Sequence, residues 1–158
     1  MAENNFINQE EKKTSWETRI VQLKRVAHTR AGGKKIRFRA TVAGGNRQGK
    51  VGIGIASAND VSEAISKASR LSEKRAIEVP LVNQTIPYEI KTKFKNIVII
   101  LKPRKKGQGL RVGTTVKLIC ELAGIKDLSV KKIGKTSNKM NIAQAMLEAL
   151  KKIRLKNK

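Results

Sequence analysis

Apolar and polar residues alternate strictly between Lys35 and Val42: Ile36, Phe38, Ala40 and Val42 fall on one face, Lys35, Arg37, Arg39 and Thr41 on the other. That is the two-residue period of a β-strand with one buried and one cationic face. Upstream, Ile20 to Val26 is rich in β-branched residues, and between the two runs lies Arg30-Ala31-Gly32-Gly33-Lys34. Its glycines can take positive φ, so the segment predicts a hairpin with a basic tip. A second turn, Gly44 to Gly49, leads into Val51, Ile53 and Ile55, which alternate with Gly52 and Gly54. Glycine along one strand face predicts close approach by another backbone. The period then lengthens to that of a helix. Asn59 or Asp60 is placed to cap it, Glu63 completes a capping box with Asp60, and Val61, Ile65, Ala68 and Leu71 form the predicted buried stripe. The first module reads β-β-β-α and ends near Val79-Pro80.

The second module opens with a short strand over Thr85 to Ile90 and a stronger one over Phe94 to Leu101, stopped by Pro103. A basic loop, Arg104 to Gly113, leads to a helix in which Val116, Ile119, Cys120 and Ala123 share a face and Gly124 is the terminator. Leu128 to Ile133 is the next strand. The last helix takes Asn141 as its cap and buries Ile142, Ala145 or Met146, Ala149 and Ile153, before fraying from Arg154 onward. The fold class is therefore α+β, with a mobile polar arm over 1–15, a first domain over 16–79 and a second, with a basic tail, over 80–158. No internal repeat is visible.

Composition turns this outline toward a partner. The chain's 35 Lys and Arg against 12 Asp and Glu leave a net charge of +23, while 39% hydrophobic residues supply a real core. Residues 18 to 59 hold ten Lys or Arg and no acid, and residues 90 to 120 hold nine and no acid. Such stretches repel themselves unless a polyanion neutralises them. The longest apolar run, Ile97 to Leu101, is far below the roughly 20 residues that cross a bilayer, so no membrane partner is expected. One cysteine, Cys120, and one histidine, His28, offer neither a disulfide nor a metal cluster. Glu3, Glu10 and Glu11 in the first fifteen residues differ from an acid-poor import leader, and work in the compartment of synthesis is the expectation.

RNA is the polyanion favoured, because no recognition-helix signature or zinc finger is present, whereas a three-stranded sheet with a helix suits shape reading of A-form duplexes. With aromatics at 3%, a stacking platform for single strands is not expected, and Phe38 and Phe94 read as core. Trp16 is placed to cover one end of that core. The candidate RNA contacts are Arg19, Lys24, Arg25, Arg30, Gly32, Gly33, Lys34, Lys35, Arg37, Arg39, Arg47 and Lys50 in the first module. Lys102, Arg104, Lys105 and Lys106 are their counterparts in the second. Gly107 to Gly113 follows a strand, precedes a helix and has Asp127 about twenty residues on, as a dinucleotide site would. Its GxGxxxG spacing and the five cations in and just before it, Lys102, Arg104, Lys105, Lys106 and Arg111, fit a phosphate clamp or a protein contact better. No cofactor, metal or catalytic group is expected: His28 sits among cations and Cys120 on an apolar helix face. A free duplex-RNA chaperone and a nucleotide-dependent oxidoreductase are the rival readings.

Several separated motifs carry a family resemblance: Trp16-Glu17 to Val26, the turn Gly32-Gly33-Lys34, Gly49 to Gly54, Val79-Pro80-Leu81 with Thr85-Ile86-Pro87, and Glu121 to Asp127. In order and spacing they resemble small-subunit ribosomal protein S-five of the bacterial and organellar type, over about residues 15 to 153. The resemblance implies a first module like a double-stranded-RNA-binding domain and a second with a left-handed β-α-β crossover. It implies binding to small-subunit ribosomal RNA, contact with small-subunit proteins four and eight, roles in assembly and decoding accuracy, and a place beside the messenger entry channel. Gly107, Gly109, Arg111, Gly113 and Lys117 match the surface that meets protein four. The ribosome of a bacterial cytoplasm or a plastid stroma is the implied location. The chain departs from the family at Ala56-Ser57-Ala58, at Lys105 to Gly109 with Gly113-Thr114, and at Asn138 to Asn141, where Asn-Pro-hydrophobic-Asn is usual.

Overall fold

The computed structural model describes residues 15–154, so nearly all of the expected N-terminal arm and most of the basic tail lie outside the described residues. The chain runs β1 (Glu17–Arg30), β2 (Gly33–Gly45), β3 (Lys50–Ala58), α1 (Val61–Lys74), β4 (Ile77–Glu78), β5 (Ile90–Phe94), β6 (Ile97–Pro103), β7 (Leu110–Arg111), α2 (Thr114–Ala123), β8 (Leu128–Ile133) and α3 (Lys139–Lys151). The first sheet has the order β1-β2-β3-β4 and is antiparallel throughout. The second has the order β5-β6-β8-β7, with β7 parallel to β8 and α2 as the crossover between them. The α+β class and the β-β-β-α opening are as expected.

Helix α1 covers one face of the first sheet, while α2 packs on the other face and α3 wedges between that face and β5–β6. The glycines of β3 explain how α1 comes so close. A Cβ at Gly54 would stand 1.8 Å from the Ala68 carbonyl oxygen, and one at Gly52 2.0 Å from that of Ser72. The buried residues of α1 are accordingly the small ones, Ala64, Ala68 and Ser72, whereas Val61, Ile65 and Leu71 of the expected stripe stay half-buried. Trp16 covers the end of this interface, its indole nitrogen 2.5 Å from where a Gly44 Cβ would lie.

On the other face, Val51 and Ile53 join Ile97, Ile99, Leu101, Val116, Ile119, Leu128 and Met146 in one apolar cluster that runs through both sheets. The junction is also stitched by backbone. Arg47 N–H donates to the Leu122 carbonyl at 2.8 Å and Gly49 N–H to that of Ala123 at 2.9 Å, so the β2–β3 loop satisfies the open carbonyls at the end of α2. Gly124 ends that helix in the left-handed region, φ 83°, as expected.

Four local expectations are corrected. The capping box at Asp60 does not form: the Asp60 carboxylate accepts from the Ser62 hydroxyl, and Glu63 pairs with Lys67 at 2.6 Å. The run Phe94 to Leu101 is not one strand, because Lys95 takes φ 50° and turns the chain, leaving Ile90–Phe94 paired with Ile97–Leu101. Thr85 makes only an isolated bridge to Val82. The cap of α3 is Asn138, whose side chain accepts from Met140 N–H at 3.1 Å, three residues before the expected Asn141. The two-residue strands β4 and β7 carry no period of their own and were not expected.

Candidate nucleic-acid interface

The hairpin of β1 and β2 outruns its support. From Lys24 through Arg37 every residue but Val26 is exposed, because α1 and the second module stop short of the tip. The register then decides which side chains share a face. Lys24 is opposite Arg39, Val26 opposite Arg37, and His28 opposite Lys35, with the bulge between Ile20 and Gln22 setting this phase. Cross-strand partners point to the same side of a sheet, so Lys24, His28, Arg30, Lys35, Arg37 and Arg39 form one cationic face. Ser57 of β3 extends it opposite Arg39, and the face holds a shallow groove of about 380 Å³. Arg25 and Lys34 fall on the opposite face, opposite Phe38 and Thr29. Gly32 and Gly33 make the tip, where Gly33 has φ 139°.

Charge on this face is uncompensated. The ion pairs among the described residues are Arg19–Glu121, Arg47–Glu17, Lys67–Glu63 and Lys102–Glu89, none of which involves the cationic face. By contrast, the amino end of α1 carries Asp60 and Glu63. Hydrogen bonding, first from Ser62 and then from the Val61 backbone, holds the Asp60 carboxyl below its usual range, so this end repels phosphate.

The other predicted contacts lie elsewhere. Arg19 donates to Glu121 and Arg47 to Glu17, each at 2.8 Å, and the two line a cavity of about 640 Å³ at the junction, with Lys117, Lys126 and Leu110. Thirteen residues of β2 separate that end from the tip, about 40 Å at 3.3 Å per residue. Lys50 is exposed opposite Glu78. Lys102 sits 3.5 Å from Glu89. Lys105 and Lys106 are exposed on the loop.

That loop is tied from inside. Buried Asp127 accepts N–H donation from Gly109 at 2.7 Å and from Gly107 at 3.2 Å, and Arg104 turns inward to the carbonyls of Gln108 and Gly109. Asp127 therefore does what a loop staple does, not what a ribose-binding acid does, and Arg104 is spent on the backbone. Arg111, Gly113 and Lys117 are exposed along β7, the cap and the first turn of α2. Cys120 is fully buried, its thiol pushed up to about 12 by burial and then by Glu121, which leaves no nucleophile at neutral pH. Among the described residues no cluster could hold a metal, and no helix is long and apolar enough to cross a membrane.

Sequence reasoning missed the segment Asn138–Met140, which closes a small cleft against Gln22, Lys24, Arg39 and Thr41. It also missed Ser57 and His28. The register could have supplied His28, since counting back from the Ala31–Gly32 turn sets it opposite Lys35; Asn138 belongs to a contact between modules that periodicity does not encode.

Fold and surface together define a class, a basic α+β protein with an uncompensated cationic strand face. Comparison with known proteins then gives the family. Residues 16–80 match the family described as "Ribosomal protein S5, N-terminal domain", and residues 92–157 match "Ribosomal protein S5, C-terminal domain". The chain is 41% identical over 143 residues to "Small ribosomal subunit protein uS5" of Thermus thermophilus, covering 90% of this chain and 88% of the relative. Proteins of that name from two individual strains of the same species match to the same extent. The chain belongs to the ribosomal protein S5 family, whose members are structural and not enzymes.

Proposed function

We propose that the chain is a structural constituent of the small ribosomal subunit and that it grips small-subunit ribosomal RNA with the cationic face of the β1–β2 hairpin. The observation that carries this is the row Lys24, Arg30, Lys35, Arg37 and Arg39, exposed on one strand face with no carboxylate partner among the described residues. A solvated face mixes signs to limit repulsion; an unmixed one is stabilised when phosphates replace counterions. The family resemblance extends the reading to subunit assembly, decoding accuracy and a place beside the messenger entry channel. It sets Gly107, Gly109, Arg111, Gly113 and Lys117 against protein four, with protein eight as a further neighbour. Arg19 and Arg47, held by Glu121 and Glu17, take a secondary part in RNA contact. The bacterial source of the relatives supports a bacterial cytoplasm over a plastid stroma.

The test is binding to small-subunit RNA across a salt series, for the parent chain and for Arg37→Gln/Arg39→Gln. The variant should keep the parent's thermal midpoint, bind more weakly, and show a slope of log affinity against log salt reduced by about 2, roughly one per cation removed. Unchanged affinity and slope would reject the hairpin as the RNA contact. Sedimentation of the chain away from small subunits at moderate salt would reject the ribosomal reading itself and favour a free chaperone.

A further inference from the structure

Ser57 stands at the base of the cationic groove. Besides the cations Arg30, Lys35, Arg37 and Arg39, the polar side chains that line it are His28 and Ser57; the rest of its lining is apolar, and among the described residues it holds no acid. That inventory has a chemical consequence. Guanidinium and ammonium groups donate hydrogen bonds and cannot accept them. They suit phosphate oxygens, and the electrostatic attraction they supply is the same in kind for DNA and for RNA. The group that sets RNA apart is the ribose 2′-hydroxyl, which both donates and accepts. Among the described side chains of the groove, a proton donated by that hydroxyl can go to the Ser57 hydroxyl or to the His28 imidazole.

The backbone separates these two. Ser57 is exposed beside buried Ala58 on β3, the strand that α1 covers, whereas His28 has exposed neighbours on both sides, Ala27 and Thr29, in the part of the hairpin that outruns its support. A short side chain on a supported strand holds its acceptor in place. Register sets Ser57 opposite Arg39, one strand spacing of about 4.8 Å away, with Arg37 two residues further along β2. Ribose joins successive phosphates, so a strand whose phosphates follow the two arginines brings its sugars alongside this hydroxyl. Ser57 also lies in Ala56-Ser57-Ala58, where the chain departs from its family. We propose that Ser57 reads the ribose: its hydroxyl accepts from a 2′-hydroxyl of the RNA on the hairpin and so favours RNA over an equally charged duplex that lacks this group. The inference rests on the hairpin reading given above. Charge supplies the affinity, and Ser57 supplies the choice of sugar.

Two duplexes of one sequence test it with the full chain: a short RNA, and the same RNA with 2′-fluoro groups in place of the 2′-hydroxyls. The fluoro duplex keeps the A-form shape and the phosphate charge but has no 2′ proton to donate. The parent should bind the RNA about fivefold more tightly than the fluoro duplex, the worth of one neutral hydrogen bond. Ser57→Ala, at an exposed position, should keep the parent's thermal midpoint and bind both duplexes alike. Its slope of log affinity against log salt should match the parent's, because no charge is removed. Ser57→Thr, which returns a hydroxyl to the position, should return the preference. Arg37→Gln/Arg39→Gln should weaken binding of both duplexes. Equal binding of the two duplexes by the parent overturns the inference, as does a preference that survives in Ser57→Ala or is missing from Ser57→Thr; each of these leaves the hairpin reading standing. Unchanged binding by Arg37→Gln/Arg39→Gln rejects the hairpin reading, and this inference with it.

Discussion

Gly54 shows how much a single missing methyl group decides. Its sequence signal, glycine alternating with Val51, Ile53 and Ile55, was legible as close backbone approach; the identity of the approaching segment was not, since nothing local says that α1 folds back with Ala68 uppermost. A Cβ there would lie 1.8 Å from the Ala68 carbonyl oxygen, a contact that a backbone helix cannot relieve by a rotamer change. Gly54→Ala should therefore cost about 3 kcal/mol through overpacking. Gly32, with nothing within 4 Å of its Cβ position, supplies the control, and Gly32→Ala should stay within about 0.5 kcal/mol of the parent. Denaturant midpoints for the two variants check both numbers, and equal losses would refute the packing argument.

Among the elements, those with a strong period were readable and those made by pairing alone were not. The hairpin, β3, α2 and β8 follow from alternation or a buried stripe, and Gly124 follows from its terminating role. The strands β4 and β7, two residues each, exist only because β3 and β8 offer them an edge. The break at Lys95 splits an apolar run that looks continuous in sequence. The loop between β6 and β7 is the element where motif and meaning parted: its glycines suggested a ligand, and the structure gives them to Asp127. Gly107 and Gly109 sit at φ 87° and 70°, so the loop has no helix or sheet to hold it and depends on that carboxylate and on Arg104. Asp127→Ala should then free both glycine amides, raise their hydrogen-exchange rates well above the parent's, and cost about 1–3 kcal/mol for the donors left unpaired. Unaltered exchange at Gly107 and Gly109 would show that the loop is held by something else.

For the whole molecule, the separation into 16–79 and 80–158 describes the order of the chain better than it describes the forces. The apolar cluster passes from Val51 and Ile53 to Leu122 and Met146 without interruption, and the β2–β3 loop closes the end of α2. The surface pairs at the junction, Arg19–Glu121 and Arg47–Glu17, are a third or more exposed and contribute little beside that core. One cooperative transition is the consequence, and the chain carries a probe on each side to detect it. Trp16 fluorescence reports the end of the first sheet, and reaction of Cys120 with a thiol reagent reports α2. The thiol titrates ordinarily at 9.0 and is pushed up to about 12 in the fold, so its burial contributes stability below pH 9 that is lost as pH rises toward 12. Measured at pH 8, where that contribution is intact, labelling marks unfolding and nothing else. Gly124→Ala is the sharpest perturbation, because it forces a Cβ into the left-handed region and within 2.1 Å of the Arg47 carbonyl oxygen, between the modules. It should lower stability by about 3 kcal/mol or more, the left-handed backbone accounting for roughly 1–2 of that. The Trp16 and Cys120 midpoints should fall together. Two separate midpoints, with only the Cys120 transition displaced, would mean that the modules unfold independently and that the shared core does not couple them.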